Sequence, residues 1–559
     1  MLTFLAMSSC SQDSNMAKLL ERIPENADVV AVGNMKTIIE SAGGTIEGSK
    51  INLPSYIKDE LDNSSYEKLA EFNSFLKESG LNPELGALVT EYDKSYPIII
   101  FPVSDTKKFT NALEDNGYRE KSADSGMSFF SKKVYEASYG DGKYDDYSYI
   151  VVKDSYAYYI ENVWVGSDFK PLREVERLID KASESSYAKT AYSKYLVSGN
   201  AGGVSFRIPR ELRKQLRDAG MPSSIVDMYE GVICVKGNLE KDAITLESKW
   251  FDENGKPKQL KNTGKILDLN AKIDPEALKY FNNNESLIAA VSLKGIDWDS
   301  YMDFVAEVGS LSRSEKAAMT MVKSYLEKID GTIALGFGIT NGLESIFDLE
   351  LSNDVFSQFS FTIVVGTKDG KAKGVINDLK GLMDAAGMDY DGNSKGFSMD
   401  IPRENATIYV EATDNHIVMS NNKIRKSGDN KVVKSFDFDK YIAASAFYMD
   451  RNNKMLRDLK VDNDIKVSFA SNGENFESVM RIEVDGGASE GIIAKITKIV
   501  LDIANQEKSL ENKWREHRDE VRGYNSYYDF DDPYEVVEEA VEVWEGDTVV
   551  EEVAEPIEW

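Results

Sequence analysis

Two sets of basic residues have the spacing of an anion-binding helix face. The first set occupies positions i, i+3, i+4 and i+7 of a predicted helix and consists of Arg210, Arg213, Lys214 and Arg217. The second set repeats this spacing loosely further along the chain and consists of Arg451, Lys454, Arg457 and Lys460. Two such helices could bind an anionic glycan or lipid headgroup, or dock an acidic segment of the chain. A solvated helix face that balances nearby acidic residues gives the same pattern.

Two features that could indicate catalysis have structural interpretations. The sequence GNSKG at residues 392–396 matches the G-x-S-x-G motif, in which a strand precedes the serine and a helix follows it. Here an Asp/Gly turn precedes the motif and an apolar strand follows it, so we predict a hairpin turn. The chain has two histidines, His416 and His517, and neither has a partner at metal-ligand spacing. We therefore predict no catalytic residue from these motifs, no metal and no cofactor.

The two cysteines have different surroundings. An apolar stretch at residues 2–7 leads through two serines to Cys10, which resembles a bacterial lipobox. We expect Cys10 to be lipidated, so that the membrane is a partner through this anchor and residues 11–16 form a short tether. Cys234 lies in the apolar sequence GVICVKG and is predicted to be a small core residue. Near the other end of the chain, Thr548 in DTVV resembles a short O-glycosylation motif of exported Bacteroidota proteins.

Acidic residues outnumber basic residues by 95 to 66, which gives a net charge of −29. This charge argues against a nucleic-acid partner, which requires a basic footprint. Residues 527–559 hold 13 acidic and no basic side chains, so we predict a disordered or partner-binding tail there. Tyrosines are concentrated at residues 135–149. Such a cluster suits a recognition loop, and ordinary strands rich in tyrosine give the same pattern.

The elements that would position these residues occur twice. Blocks of strand and helix pattern at 23–43, 96–117, 147–162, 202–216 and 231–252 recur in the same order at 282–302, 359–387, 406–422, 443–459 and 464–485. Strands are short and separated by Gly, Asp and Asn turns, which favours an α+β fold with antiparallel sheets. We predict a signal and tether at 1–16, two repeat halves at 17–265 and 270–505, a charged helix extension at 506–526 and the tail at 527–559. The extension belongs to one long helix from Glu490 to about Val521.

The lipobox, the sequence I-P-x-x-A-x-V-V at residues 23–30 and the duplicated body together resemble a Bacteroidota lipoprotein family of unknown function. The resemblance covers residues 10–505. It implies an exported protein anchored in the outer membrane, at its periplasmic face or at the cell surface, and it implies no reaction.

These features predict a non-enzymatic, lipid-anchored cell-envelope protein that binds or assembles with an envelope protein or glycan. The alternative is a hydrolase of envelope glycans or peptides that uses a pair of carboxylates. Because the separation that matters in such a pair is measured in space, the sequence leaves this alternative open.

Overall fold

A computed structural model gives the fold of the chain. It describes residues 15–48, 50–58, 63–91, 96–121, 126–139, 142–160, 170–221, 223–258, 266–308, 315, 323–343, 345–346, 356–401, 406–413, 415–473, 477–486, 491–506, 509–516 and 518. The chain divides into two compact units, residues 1–505 and 506–559.

The first half of the larger unit is built on antiparallel strands. They are β1 Val29–Asn34, β2 Thr45–Glu47, β3 Lys50–Asn52, β4 Leu85–Thr90, β5 Ile98–Pro102, β6 Arg119–Lys121, β7 Ser128–Tyr139, β8 Gly142–Lys153, β9 Tyr156–Ile160, β10 Gly202–Arg207, β11 Val232–Leu239 and β12 Ala243–Phe251. Across the sheet their order is β6–β7–β8–β9–β5–β4–β1–β10–β11–β12. The strands β2 and β3 pair separately with each other.

The second half follows with strands in a matching arrangement. They are β13 Leu287–Ser292, β14 Ile329–Ile339, β15 Phe359–Thr367, β16 Asp391–Gly392, β17 Gly396–Ile401, β18 Ala406–Ala412, β19 His416–Ser420, β20 Ala443–Met449, β21 Asp464–Asn472 and β22 Glu477–Asp485. Their order across the sheet is β16–β17–β18–β19–β15–β14–β13–β20–β21–β22. Position by position, the pairing is the same as in the first half.

The two halves join edge to edge through β12 and β22. These strands are antiparallel, and Leu246 lies opposite Met480. Each of these residues is the fourth of its strand, so the junction is symmetrical. The described strands of both halves thereby form one 20-stranded sheet.

Helices cover parts of both faces of this sheet. They are α1 at residues 15–20, α2 Met35–Ser41, α3 Ser55–Lys58, α4 Asn63–Ser79, α5 Thr106–Asp115, α6 Pro171–Glu184, α7 Ala191–Val197, α8 Arg210–Asp218, α9 Ser223–Met228, α10 Trp298–Val308, α11 Ala372–Ala386, α12 Lys431–Ser435, α13 Lys454–Asp458 and α14 Ile492–Ala504.

Alternation along the strands separates two faces of the sheet. In β1, Val30 and Val32 are buried and point to what we call the inner face, where the first-half core includes Leu20 from α1 and Val175 from α6. The second half has a corresponding inner core around Ile288 and other buried residues. On the outer face, α4 and α5 pack over one end of the first half and α11 packs over the second half.

The α+β class with antiparallel sheets is confirmed, and so are two local predictions. The sequence GNSKG is a hairpin turn between β16 and β17, in which the side-chain oxygen of Asn393 accepts hydrogen bonds from the backbone N–H groups of Lys395 and Gly396, both at 2.8 Å. Cys234 is fully buried in the inner core, and burial raises the pKa of its thiol to about 12.

The described residues of the tyrosine-rich segment at 135–149 lie on β7 and β8, in agreement with the strand interpretation of this cluster. One other prediction differs from the structure. The helix predicted from Glu490 to Val521 is divided. Its apolar part forms α14, a turn follows at residues 505–506 where the apolar pattern ends, and residues 509–516 are helical again.

Candidate functional site

A cavity of about 770 Å³ lies between the outer face of the first-half sheet and the helices that cover it. Its floor is formed by strands β1, β4, β5, β8 and β9, with side chains that include Ala31, Leu88, Ile99, Phe101 and Ile150. Its roof is formed by α4 and α5, with side chains that include Phe72, Phe75, Phe109 and Leu113. Most of the wall is therefore hydrocarbon.

Two glycines deepen the floor of the cavity. Gly33 of β1 lies directly opposite Gly86 of β4 and both line the cavity. A methyl group at Gly33 would meet only the sulfur of Met35, at 3.9 Å, and one at Gly86 would meet the ring of Phe101 at 3.4 Å. The backbone at neither position has a positive φ, so the local fold does not require glycine there. Glycine inside a strand costs about 0.5–1 kcal/mol relative to alanine and often marks a place where a ligand approaches the backbone.

The roof is held at one end by packing and by a helix cap. Phe75 of α4 contacts Phe109 of α5 edge to face, with ring centroids 6.2 Å apart. The side chain of Asp105 accepts a hydrogen bond from the backbone N–H of Lys108 at 3.0 Å, which fixes the start of α5. Beside the cavity, Phe72 is 45% exposed and Met35 is 40% exposed. Such exposure of large apolar side chains next to an apolar cavity is typical of a binding site.

Polar groups line the cavity where α5 ends. The hydroxyl of Tyr118 shares a hydrogen bond with that of Ser148 at 3.0 Å, and the ammonium of Lys132 lies 5.7 Å from the centre of the Tyr118 ring. Asn116 caps α5 by donating to the carbonyl of Ala112 at 2.8 Å. An apolar cavity of several hundred Å³ with a few polar groups is the usual form of a small-molecule site. This one suits a ligand that is mostly hydrocarbon.

A shallower apolar recess of about 370 Å³ lies on the same face of the second-half sheet. Its floor crosses four strands through the opposed residues Leu335, Ala289, Ser445 and Phe469. Leu335 is 45% exposed and Phe469 is 46% exposed. The second half thus also presents apolar surface on its outer face.

The first predicted basic stripe lies on α8, but its four side chains do not form one exposed cationic surface. Arg213 is only 7% exposed, and its guanidinium bridges Glu230 at 3.1 Å and Glu253 at 2.8 Å. Arg217 pairs with Asp227 at 2.7 Å. Arg210 and Lys214 are exposed. Two of the four charges are thus already balanced by acidic side chains.

Arg210 and Arg213 also line a polar cleft of about 420 Å³. Among the described residues of its walls, the other cations are Arg177, Lys181 and Arg207, and the acidic side chains are Asp28, Glu91, Glu211 and Glu253. Glu91 forms ion pairs with both Arg177 and Lys181, and their hydrogen bonds help to lower the pKa of its carboxyl despite partial burial, which opposes them. Cations and acids are nearly equal in number, so the anion-binding role of this stripe stays a prediction.

The second predicted basic stripe is not a continuous helix face. Asn453 caps the start of α13 through a hydrogen bond from the backbone N–H of Met455 at 2.9 Å, and the helix spans only five residues. Arg451 therefore precedes the helix and pairs with Asp464 at 3.0 Å. Lys460 follows the helix with a φ of 54°, and Lys454 and Arg457 are the members that lie within it. The helical arrangement predicted for this set is wrong at both ends.

His416 and Glu285 are among the buried titratable groups of the second half. His416 is 8% exposed, and its Nε2 is 3.4 Å from the carboxylate of Asp274. Burial lowers the pKa of this imidazole, although Asp274 opposes the shift.

Glu285 is 1% exposed and accepts hydrogen bonds from the backbone and side-chain amides of Asn282 and from the hydroxyls of Ser360 and Thr362. Burial raises the pKa of Glu285 to about 6, and the hydrogen bonds oppose the shift. Its carboxylate is occupied by these donors, so we assign it to the core and not to a catalytic cleft.

Several predicted features lie outside the described residues, namely Cys10, His517, Thr548 and the tail. Within the described part of the chain, no three His, Cys, Asp or Glu side chains lie close enough together to hold a metal ion. Among the same residues, no helix has both the length and the apolar character needed to cross a bilayer.

Sequence reasoning missed the cavity entirely. Its walls come from segments between residues 31 and 159, and most of the wall residues have the type expected of an ordinary core. The one available signal was glycine inside two apolar strands, at Gly33 and Gly86.

Comparison with known proteins adds little. No protein-family model and no curated protein matches the chain. A solved structure of TP0453, in its crystal form I, aligns with 43% of this chain and 80% of its own at 10% identity, with a TM-score of 0.21. A likeness this slight carries no argument about fold or function.

Proposed function

We propose that this protein is a non-enzymatic, lipid-anchored cell-envelope protein that binds the hydrocarbon chain of an amphiphile. The observation that carries the proposal is the apolar cavity of about 770 Å³ beneath α4 and α5. Burial of a chain in such a cavity contributes about 0.8 kcal/mol for each methylene removed from water. Most of the described residues that line the cavity are apolar, which favours binding over reaction.

The envelope location rests on the sequence. The apolar leader and Cys10 resemble a lipobox, and the tether of residues 11–16 would span about 20 Å when extended. A binding site this close to a membrane would be within reach of lipids and their breakdown products. The outer membrane, at its periplasmic face or at the cell surface, is the proposed location, and membership of the Bacteroidota lipoprotein family is part of the same proposal.

We also propose that the two halves arose by tandem duplication. The support is the identical strand order in both halves, together with the symmetrical pairing of β12 with β22. Duplication explains why apolar surface occurs on the outer face of both halves. The acidic tail and the partly paired basic residues of α8 remain candidates for contact with an envelope partner or glycan.

Titration with a fluorescent hexadecanoic acid analogue tests the proposed binding. Gly33→Leu would place a side chain in the cavity and should weaken binding at least tenfold. Gly237→Leu is the matched control. Gly237 lies on β11, on the same face of the sheet as Gly33 but outside the described cavity lining, and a methyl group there would meet nothing closer than 3.6 Å. Equal affinity for wild type and Gly33→Leu would contradict the proposed site, and absence of binding to the wild type would contradict the function.

A further inference from the structure

The polar groups of the cavity are concentrated around one cation, Lys132. This residue lies opposite Ser148 in the pairing of β7 with β8, and Ser148 is bonded to Tyr118. A methyl group added at Gly117 would lie 3.8 Å from Cε of Lys132, so the lysine stem crosses the turn that follows α5. Its ammonium then lies over the Tyr118 ring at the edge of the cavity. Packing of the Lys132 stem and contact with the Tyr118 ring therefore keep the ammonium at this end of the cavity.

Within the described part of the chain, the ammonium of Lys132 contacts the Tyr118 ring and forms no ion pair with a carboxylate. Many other lysines of this acidic chain are paired, for example Lys181 with Glu91 and Lys236 with Glu247. A cation–π contact stabilises an ammonium without using its three hydrogen-bond donors. Lys132 therefore has donors left for an anion.

We infer that the ligand is a single-chain amphiphile with a negatively charged headgroup, and that Lys132 binds this headgroup while the hydrocarbon chain fills the cavity. This inference rests on the proposed function. A carboxylate and a phosphate monoester share the required chemistry. Glu71 is the other charged side chain in the described lining, and it is exposed on the roof helix α4. Its carboxylate repels an anionic headgroup, so removal of this charge should strengthen the binding of anions.

The test compares three ligands with the same chain: hexadecanoate, hexadecyl phosphate and the neutral hexadecanol, measured at pH 8 by displacement of a fluorescent probe. Wild type should bind the two anions about fivefold more tightly than the alcohol, a ratio in the range of one exposed ion pair. Lys132→Gln should bring this ratio close to one while leaving the affinity for hexadecanol unchanged. Glu71→Gln should raise the ratio. Added salt should lower it in wild type because the interaction is partly exposed.

The control is Lys133→Gln, which removes the same charge at the neighbouring position, where the side chain points to the opposite face. It should leave the ratio as in wild type. If Lys132→Gln keeps the wild-type ratio, or if wild type binds all three ligands equally, the inference about the headgroup is overturned and the proposed function stands. If none of the three ligands binds, both are overturned. A preference for hexadecyl phosphate over hexadecanoate, or the reverse, identifies the headgroup.

Discussion

Glu285 should make the stability of the protein depend on pH in a defined direction. The carboxyl is buried, and its pKa of about 6 lies above the ordinary value of 4.5. A shift of this size corresponds to about 2 kcal/mol, because one pKa unit is equivalent to about 1.4 kcal/mol. The folded state holds the proton more tightly than the unfolded state. The stabilisation from protonation is therefore fully present below pH 4.5 and is lost as the pH rises through 6.

The substitution Glu285→Gln removes this titration. The amide has similar shape, and the hydroxyls of Ser360 and Thr362 can turn to accept from it, although some hydrogen bonds will change at every pH. The informative quantity is thus the change with pH. The free energy of unfolding of the variant, minus that of wild type, should increase by about 1.6 kcal/mol between pH 4.5 and pH 7.5.

Urea unfolding followed by fluorescence at several pH values measures this difference. Many other acidic groups titrate in the same range, but they cancel when variant and wild type are compared. Glu114→Gln is the matched control, because Glu114 is exposed on α5, and its difference from wild type should stay flat. A flat difference for Glu285→Gln, within about 0.5 kcal/mol, would refute the conclusion that this carboxyl resists ionisation.

Three further predictions concern other parts of the molecule. Affinity for unbranched fatty acids should increase about fourfold for each added methylene until the cavity is full, because each methylene contributes about 0.8 kcal/mol. Calorimetry on a series from octanoate to octadecanoate checks this. An affinity that does not depend on chain length would contradict burial of the chain. Arg213→Ala should lower the free energy of unfolding by about 1–2 kcal/mol because it removes a buried side chain, with its packing and its two ion pairs. Exposed Lys214→Ala should change it by less than about 0.5 kcal/mol, and equal effects in urea unfolding would show that the two residues do not differ as the structure indicates. Cys10→Ala should abolish incorporation of a labelled fatty acid and release the protein from the membrane fraction, and persistent labelling would argue against the anchor.

Much of the fold could be read from the sequence because strand and helix patterns are local. The alternation of Val30 and Val32 with less buried neighbours marks β1, and the Asp and Gly residues around GNSKG mark a hairpin. Recurrence of such blocks also indicated two similar halves. These inferences depend on residues close together in the chain, where spacing and structure are directly related.

The binding features could not be read in this way because they depend on residues distant in sequence. The spacing at 210–217 correctly predicted a helix, but not that Arg213 points to Glu253, which lies 40 residues further along. Lys132 could not be told apart from the other lysines in the sequence, because it lies beside Tyr118 only through the pairing of β6 with β7. Glu285 was one of 95 acidic residues, and only its burial distinguishes it. The cavity itself arises from the gap that α4 and α5 leave above the sheet.

Photo-crosslinking is the most direct test of the proposed binding site. A hexadecanoate carrying a diazirine near the end of its chain would be bound, irradiated and mapped by peptide mass spectrometry. Cross-links should fall on the walls of the cavity, in peptides that contain Phe72, Leu88 or Phe101, and unlabelled hexadecanoate should suppress them. Cross-links confined to the recess around Leu335 and Phe469, or scattered without suppression, would contradict binding in the cavity of the first half.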